Sequence, residues 1–79
     1  DLPVDGLLAQ TAPLRRRVLR LAALRAGSPA SELFHDHVLA MDALLTDWHG
    51  QKWVDLPGRL HCRREYGRLV LEGTFDPGS

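Results

Sequence analysis

Four arginines, Arg15, Arg16, Arg17 and Arg20, fall within the seven-residue run Leu14-Arg15-Arg16-Arg17-Val18-Leu19-Arg20. A guanidinium group is planar, permanently charged and forked, and its paired N–H donors match phosphate oxygens. The chemistry open to such a run is recognition of phosphate, in which each neutralised phosphate of a nucleic acid releases counterions. Arg63 and Arg68 on a later segment, with Lys52 and Arg59 near turns, extend the basic set. The competing reading is that the arginines merely solvate exposed faces and pair with Asp42, Asp47, Glu65 or Glu72. Contact with four phosphates of single-stranded RNA would give a slope of log K against log salt of about −3.

Other chemistries lack their parts. His35 and His37 look like a chelating pair, yet on a helix they project about 200° apart and cannot share a metal. His61 and Cys62 are neighbours in a strand and point to opposite faces, and no CxxC spacing accompanies them. A dyad of Asp36 with a histidine has no pocket-forming context, and neither a Walker-type run nor GxGxxG occurs. No catalytic or metal-binding residue is therefore assigned. Among the aromatics, Trp48 ends an apolar stripe and reads as core. Trp53 and Tyr66 are positioned to stack on bases or simply to pack.

The elements that carry these residues follow from periodicity. Thr11 is a natural N-cap and Pro13 suits a first turn, which predicts a helix from about 12 to Ala26, stopped at Gly27. Leu14, Val18, Leu21, Ala22 and the stem of Arg25 form its apolar stripe, with Arg15 and Arg25 nearer the packed side. Arg16, Arg17 and Arg20 point away, interrupted by Leu24. A second helix, roughly 34 to 48, buries Phe34, Val38, Met41, Leu45 and Trp48. It exposes Asp36, Asp42 and Asp47, and ends near Gly50.

Strands are predicted at 54–56, 60–65 and 68–73, with Pro57-Gly58 and Tyr66-Gly67 as turns. A two-residue turn at Tyr66-Gly67 sets Glu65 opposite Arg68, Cys62 opposite Leu71 and His61 opposite Glu72. Leu60, Cys62, Arg64, Leu69 and Leu71 then share the packed face, with Arg64 snorkelling near a sheet edge. Leu2-Pro3-Val4 is expected as an edge strand and Gly6 to Gln10 as an irregular turn.

Ten basic and ten acidic side chains cancel in 79 residues, but residues 26 to 51 hold four acids and no lysine or arginine. Charge is sorted along a chain whose net charge is not that of a stand-alone nucleic-acid binder. A chain this short forms one small domain that buries roughly 60% of its unfolded surface. One cysteine excludes an internal disulfide and favours a reducing, cytoplasmic compartment. No apolar stretch approaches the roughly 20 residues of a membrane span. The start without methionine and the linker-like composition of 74–79 suggest a piece of something longer, with its core at about 4–72.

Read together, LRRRVLR at 14–20, HVLAMDALLTDWHGQ at 37–51 and VDLPGRLHCRREYGRLVL at 54–71 resemble one module. It is the domain that follows the catalytic domain in bacterial tRNA-isoleucine lysidine synthetases, especially actinobacterial-type members. The shared pattern is a proline-led arginine-rich helix, a helix opening near His-Val and closing near Trp-x-Gly-Gln, a strand, Leu-Pro-Gly and a hairpin. Phe34 stands where the family commonly has a capping Ser or Thr, which points to Ser31 as an alternative cap. His49 replaces a frequent arginine, and Trp53 is bulkier than usual.

The resemblance implies a parent ligase that uses ATP and Mg to attach lysine to the wobble cytidine of an isoleucine tRNA. Its SGGxDS phosphate loop is absent from this chain, so no cofactor is expected here and catalysis belongs to another domain. The implied fold is α+β: two amphipathic helices on a small antiparallel sheet of about three strands. The implied partners are tRNA and the catalytic domain of the same chain. Arg16, Arg20, Lys52, Arg63 and Arg68 are the expected RNA contacts, as phosphate positioners. The alternative is a docking or homodimer module without RNA contact, marked by an exposed apolar patch including Leu24 and Trp53.

Overall fold

The computed structural model describes residues 2–74, so Asp1 and the linker-like residues from Phe75 onward lie outside the described residues. The chain runs β1 (Leu2–Pro3), α1 (Val4–Leu8), α2 (Ala12–Ala26), α3 (His35–Thr46), β2 (Val54–Leu56), β3 (Leu60–Glu65) and β4 (Arg68–Gly73). One antiparallel sheet is ordered β1-β4-β3-β2. The α+β class therefore holds, with four strands where about three were expected and with a third helix. Leu2–Pro3 is the edge strand, but the stretch expected as an irregular turn from Gly6 begins inside α1. Val4 and Leu7, three residues apart, share the buried side of that short helix, and it is such packing that sustains so few turns. No helix among the described residues is long and apolar enough to cross a membrane.

Local signals set the ends of α2. Thr11 is extended and its carbonyl accepts the Arg15 N–H at 2.8 Å, Pro13 sits in the first turn, and Gly27 closes the helix at φ 121°. The inward face is another matter. The buried row is Arg15, Leu19 and Ala23, while the expected core residues Leu14 and Leu21 are 45% and 54% exposed. Leu24 packs against the core. The cause is Asp42, expected on the outer surface of α3 but only 3% exposed beside an Arg15 that is 8% exposed.

Both carboxylate oxygens of Asp42 accept from Arg15, through Nε and through NH2 at 3.0 Å, and Arg16 Nε adds a bond at 3.1 Å. Apolar periodicity places Arg15 only near the packed side, flanking the stripe. Neutralisation by a carboxylate makes it an interior one.

The helix α3 opens at Phe34, not at the alternative cap Ser31. Phenylalanine has no acceptor to offer the first turn, and His37 compensates: its Nδ1 accepts the Phe34 N–H at 2.9 Å, with the two rings stacked at 6.0 Å. This is the returning half of a capping box, with imidazole in place of a carboxylate. His37→Ala should lower stability by about 0.5–1.5 kcal/mol, and His37→Gln should recover part of it. Urea midpoints of the three proteins at equal m-value check this.

The same helix ends at Thr46 instead of 48, with Asp47 as C-cap, and Gly50 at φ 92° lies in the following loop instead of capping the helix. Gln51 closes that loop by accepting the His49 N–H at 2.7 Å and donating to the Asp47 carbonyl at 3.3 Å. Trp48 is thereby carried out of the core, contrary to the sequence reading, and is half exposed under the Arg64 guanidinium at 4.6 Å.

Register on the sheet is as the hairpin turn dictates: Glu65 opposite Arg68, Cys62 opposite Leu71, His61 opposite Glu72. Tyr66 and Gly67 at φ 49° and 74° make the turn, with the positive pair that a two-residue hairpin requires. Leu60, Cys62 and Leu69 are buried on the face under the helices. Burial pushes the Cys62 thiol up to about 12, which leaves it protonated and unreactive at neutral pH. Arg64, on the same face, lies past the end of β2 and donates to the Leu44 carbonyl at 3.1 Å. The apparent misfit thus satisfies an orphan carbonyl in the last turn of α3.

Candidate nucleic-acid interface

Beside the Arg15–Asp42 pair, α2 and the start of α3 enclose an open cleft of about 290 Å³ lined by Pro13, Arg16, Arg17, Arg20, His35 and Val38. The arginines are four residues or fewer apart on one helix, which sets their side chains around a common space. Arg16 is anchored through Nε to Asp42, and Arg20 through NH1 to the Leu33 carbonyl at 2.9 Å, just ahead of α3. Arg17 is exposed, with no hydrogen bond or ion pair among the described residues.

The Arg15 hydrogen bond, more than anything else, holds the Asp42 carboxyl below its usual range, and the same bond raises Arg15. Asp42 is therefore ionised at neutral pH and neutralises one guanidinium equivalent of the four in the Arg15 to Arg20 run. The surplus charge remains at the cleft.

Of the five residues that the sequence nominates, Arg16 and Arg20 are brought together in this cleft. Lys52 is exposed on the loop before β2. Arg63 and Arg68 occupy the sheet face turned away from the helices, where Arg63 bonds Glu72 and, at 3.0 Å, Glu65. Hydrogen bonding to Arg63 holds the Glu72 carboxyl low, and Arg68 stands opposite Glu65 in the register. Asp55, Glu65 and Glu72 share that surface with the two arginines, so their positive charge is offset there. Trp53 is half exposed and tilts over His61 with ring centroids 5.7 Å apart.

Two lining residues escaped nomination. Arg17 belongs to the same run, and its free side chain distinguishes it only once Arg15 and Arg16 are seen to be engaged. His35 reads in the sequence as half of a failed chelating pair. Its place in the cleft depends on how α2 meets α3, which is fixed by a contact spanning 27 residues. The apolar patch expected of a docking module is not built as expected, because Leu24 packs against the core.

Comparison with known proteins gives this geometry a lineage. Residues 2–70 match the family described as the TilS substrate binding domain. A tRNA(Ile)-lysidine synthase of Streptomyces coelicolor is 48% identical over 65 residues, covering 82% of this chain and 18% of that protein. Those of Thermobifida fusca and Salinispora tropica are 44% and 42% identical, covering 89% and 99% of this chain and 22% of each relative. The chain thus spans about a fifth of the length of these relatives. No solved structure matches it significantly. With the match running from β1 into β4, the chain belongs to the TilS substrate binding domain family.

Proposed function

We propose that the chain is the tRNA-holding domain of a cytoplasmic tRNA(Ile)-lysidine synthase. In this reading the parent ligase activates the wobble cytidine of an isoleucine tRNA with ATP and joins lysine to it. The ATP and Mg chemistry belongs to a separate catalytic domain of the same polypeptide, which is the second partner. The observation that carries the reading is the surplus of guanidinium charge at the cleft, set on a domain whose relatives are named for a tRNA substrate. Arg16, Arg17 and Arg20 bear most of the contact, Lys52 and Arg68 add to it, and Arg63 contributes least because two glutamates already engage it. These groups position phosphates and do not read bases.

The test is tRNA binding across a salt titration by a lysidine synthase carrying this domain. The double variant Arg17→Ala/Arg20→Ala should weaken affinity about 10-fold or more near physiological salt and flatten the log–log salt slope by about 1. ATP binding should be unchanged. Unaltered affinity and slope would remove tRNA from the cleft. A fall in lysine transfer with tRNA affinity intact would favour the docking role instead.

A further inference from the structure

We infer that the cleft between α2 and α3 is a single-phosphate subsite, in which one sugar-phosphate group is held by Arg16, Arg17 and Arg20 with His35 at the rim. It deepens the tRNA-holding reading and rests on it only for the identity of the polymer that supplies the phosphate. Donor accounting is the first argument. A guanidinium offers five N–H donors. Arg16 uses its Nε–H on Asp42 and keeps its two terminal NH2 groups, while Arg20 uses an NH1 hydrogen on a neutral carbonyl. Both cations are therefore held in place with most of their donors uncommitted. An oxyanion arriving there finds preorganised partners and little side-chain ordering left to do.

Charge points the same way. Both oxygens of Asp42 are occupied by Arg15 and Arg16, and the exposed Glu32 and Asp36 on the flanking segments do not line the cleft. Arg17, without a partner among the described residues, can swing over the bound group. The positive end of the twelve-residue α3 adds a smaller favourable field.

Shape limits the occupant. At about 290 Å³ the space falls at the lower end of ligand pockets, roughly 300–1,000 Å³. It admits a phosphate with its sugar and not a segment of folded protein. Pro13 and Val38 supply an apolar wall on which a ribose can rest. A backbone phosphodiester, a nucleotide such as ATP and inorganic phosphate share this chemistry.

The test is an NMR titration of the chain, following arginine Nε–H signals and the amides of residues 34–37. Inorganic phosphate, ATP and a short RNA are added in turn at constant ionic strength. Saturable shifts at the cleft are expected with all three, confined to it for inorganic phosphate and ATP. Arg17→Glu should weaken phosphate about tenfold with signal dispersion kept, because Arg17 has no structural partner among the described residues. Arg17→Lys should lose less, and Arg25→Glu, in the last turn of α2 and away from the cleft lining, nothing.

RNA binding much tighter per site than inorganic phosphate or ATP would identify a polymer backbone as the source. ATP binding as tightly as RNA would identify a nucleotide, and either outcome supports the subsite. Non-saturating shifts, inorganic-phosphate shifts spread equally to Arg63 and Arg68, or indifference to Arg17→Glu would overturn it. A synthase that binds tRNA while the cleft signals stay still would lose the subsite and keep the tRNA-holding role. Saturable phosphate binding without tRNA binding would do the reverse.

Discussion

Asp42→Leu is expected to destabilise the domain by about 3–5 kcal/mol, because it leaves the Arg15 guanidinium buried without its counter-charge. A domain of this length has roughly 4–12 kcal/mol of stability in total, so the variant should be largely or marginally unfolded at 37 °C. The cost comes from breaking the pair, not from lacking one. The double variant Arg15→Met/Asp42→Leu replaces both partners by apolar groups of similar length and should return to within about 1 kcal/mol of the parent. Arg16 can follow, since its half-exposed side chain has solvent to move into. Urea denaturation reads both. Equal losses in the single and double variants would mean that the site needs the ion pair itself to pack.

The acid branch of the stability curve follows from the same pair. The folded-state carboxyl of Asp42 is depressed, first by the Arg15 hydrogen bond and then by that of Arg16. Its contribution is fully present above the unfolded aspartate value of about 4. It is lost as pH falls through the lower folded value. The parent should therefore lose stability below about pH 4 more steeply than Asp42→Asn, in which nothing at this position titrates.

Much of the fold is legible in the sequence because its signals are local. Thr11, Pro13 and Gly27 bound α2 without help from distant residues, and Tyr66-Gly67 fixes the register of β3 on β4 through the geometry of its turn. Errors gather where a residue's environment is supplied from far along the chain. Asp42 reads as solvent-facing, and Arg15 only as flanking the packed stripe, until they are placed against one another. That single pairing rotates the inward face of α2 and exposes Leu14 and Leu21. Arg64 and Trp48 show the same dependence at the far end of α3, where a sheet residue takes a helix carbonyl and covers the indole. The cleft was half legible: the arginine run announces phosphate chemistry, but only the crossing of α2 and α3 selects which guanidinium groups converge.

A second large effect is expected at Gly58, where two costs of one substitution can be measured apart. Gly58 sits at φ 84° in the turn between β2 and β3, and an alanine Cβ there would lie 2.8 Å from the Gly27 carbonyl oxygen and 3.0 Å from Pro29 Cδ. The first obstacle is backbone and cannot rotate aside. Gly67, at φ 74° in the hairpin turn, has nothing within 4 Å of the same position. Gly67→Ala should therefore cost only the left-handed backbone penalty, about 1–2 kcal/mol. Gly58→Ala should cost about 2–4 kcal/mol, because the β2–β3 turn must also back away from the loop that ends α2. That retreat would break the bond from Ser28 Oγ–H to the Pro57 carbonyl, 2.8 Å in the intact protein. Ser28→Ala should consequently cost about 1 kcal/mol in the parent and much less in the Gly58→Ala background, a coupling that a double-mutant cycle reads directly. Equal costs at Gly58 and Gly67, with no coupling to Ser28, would mean that the turn is not seated against α2 at all.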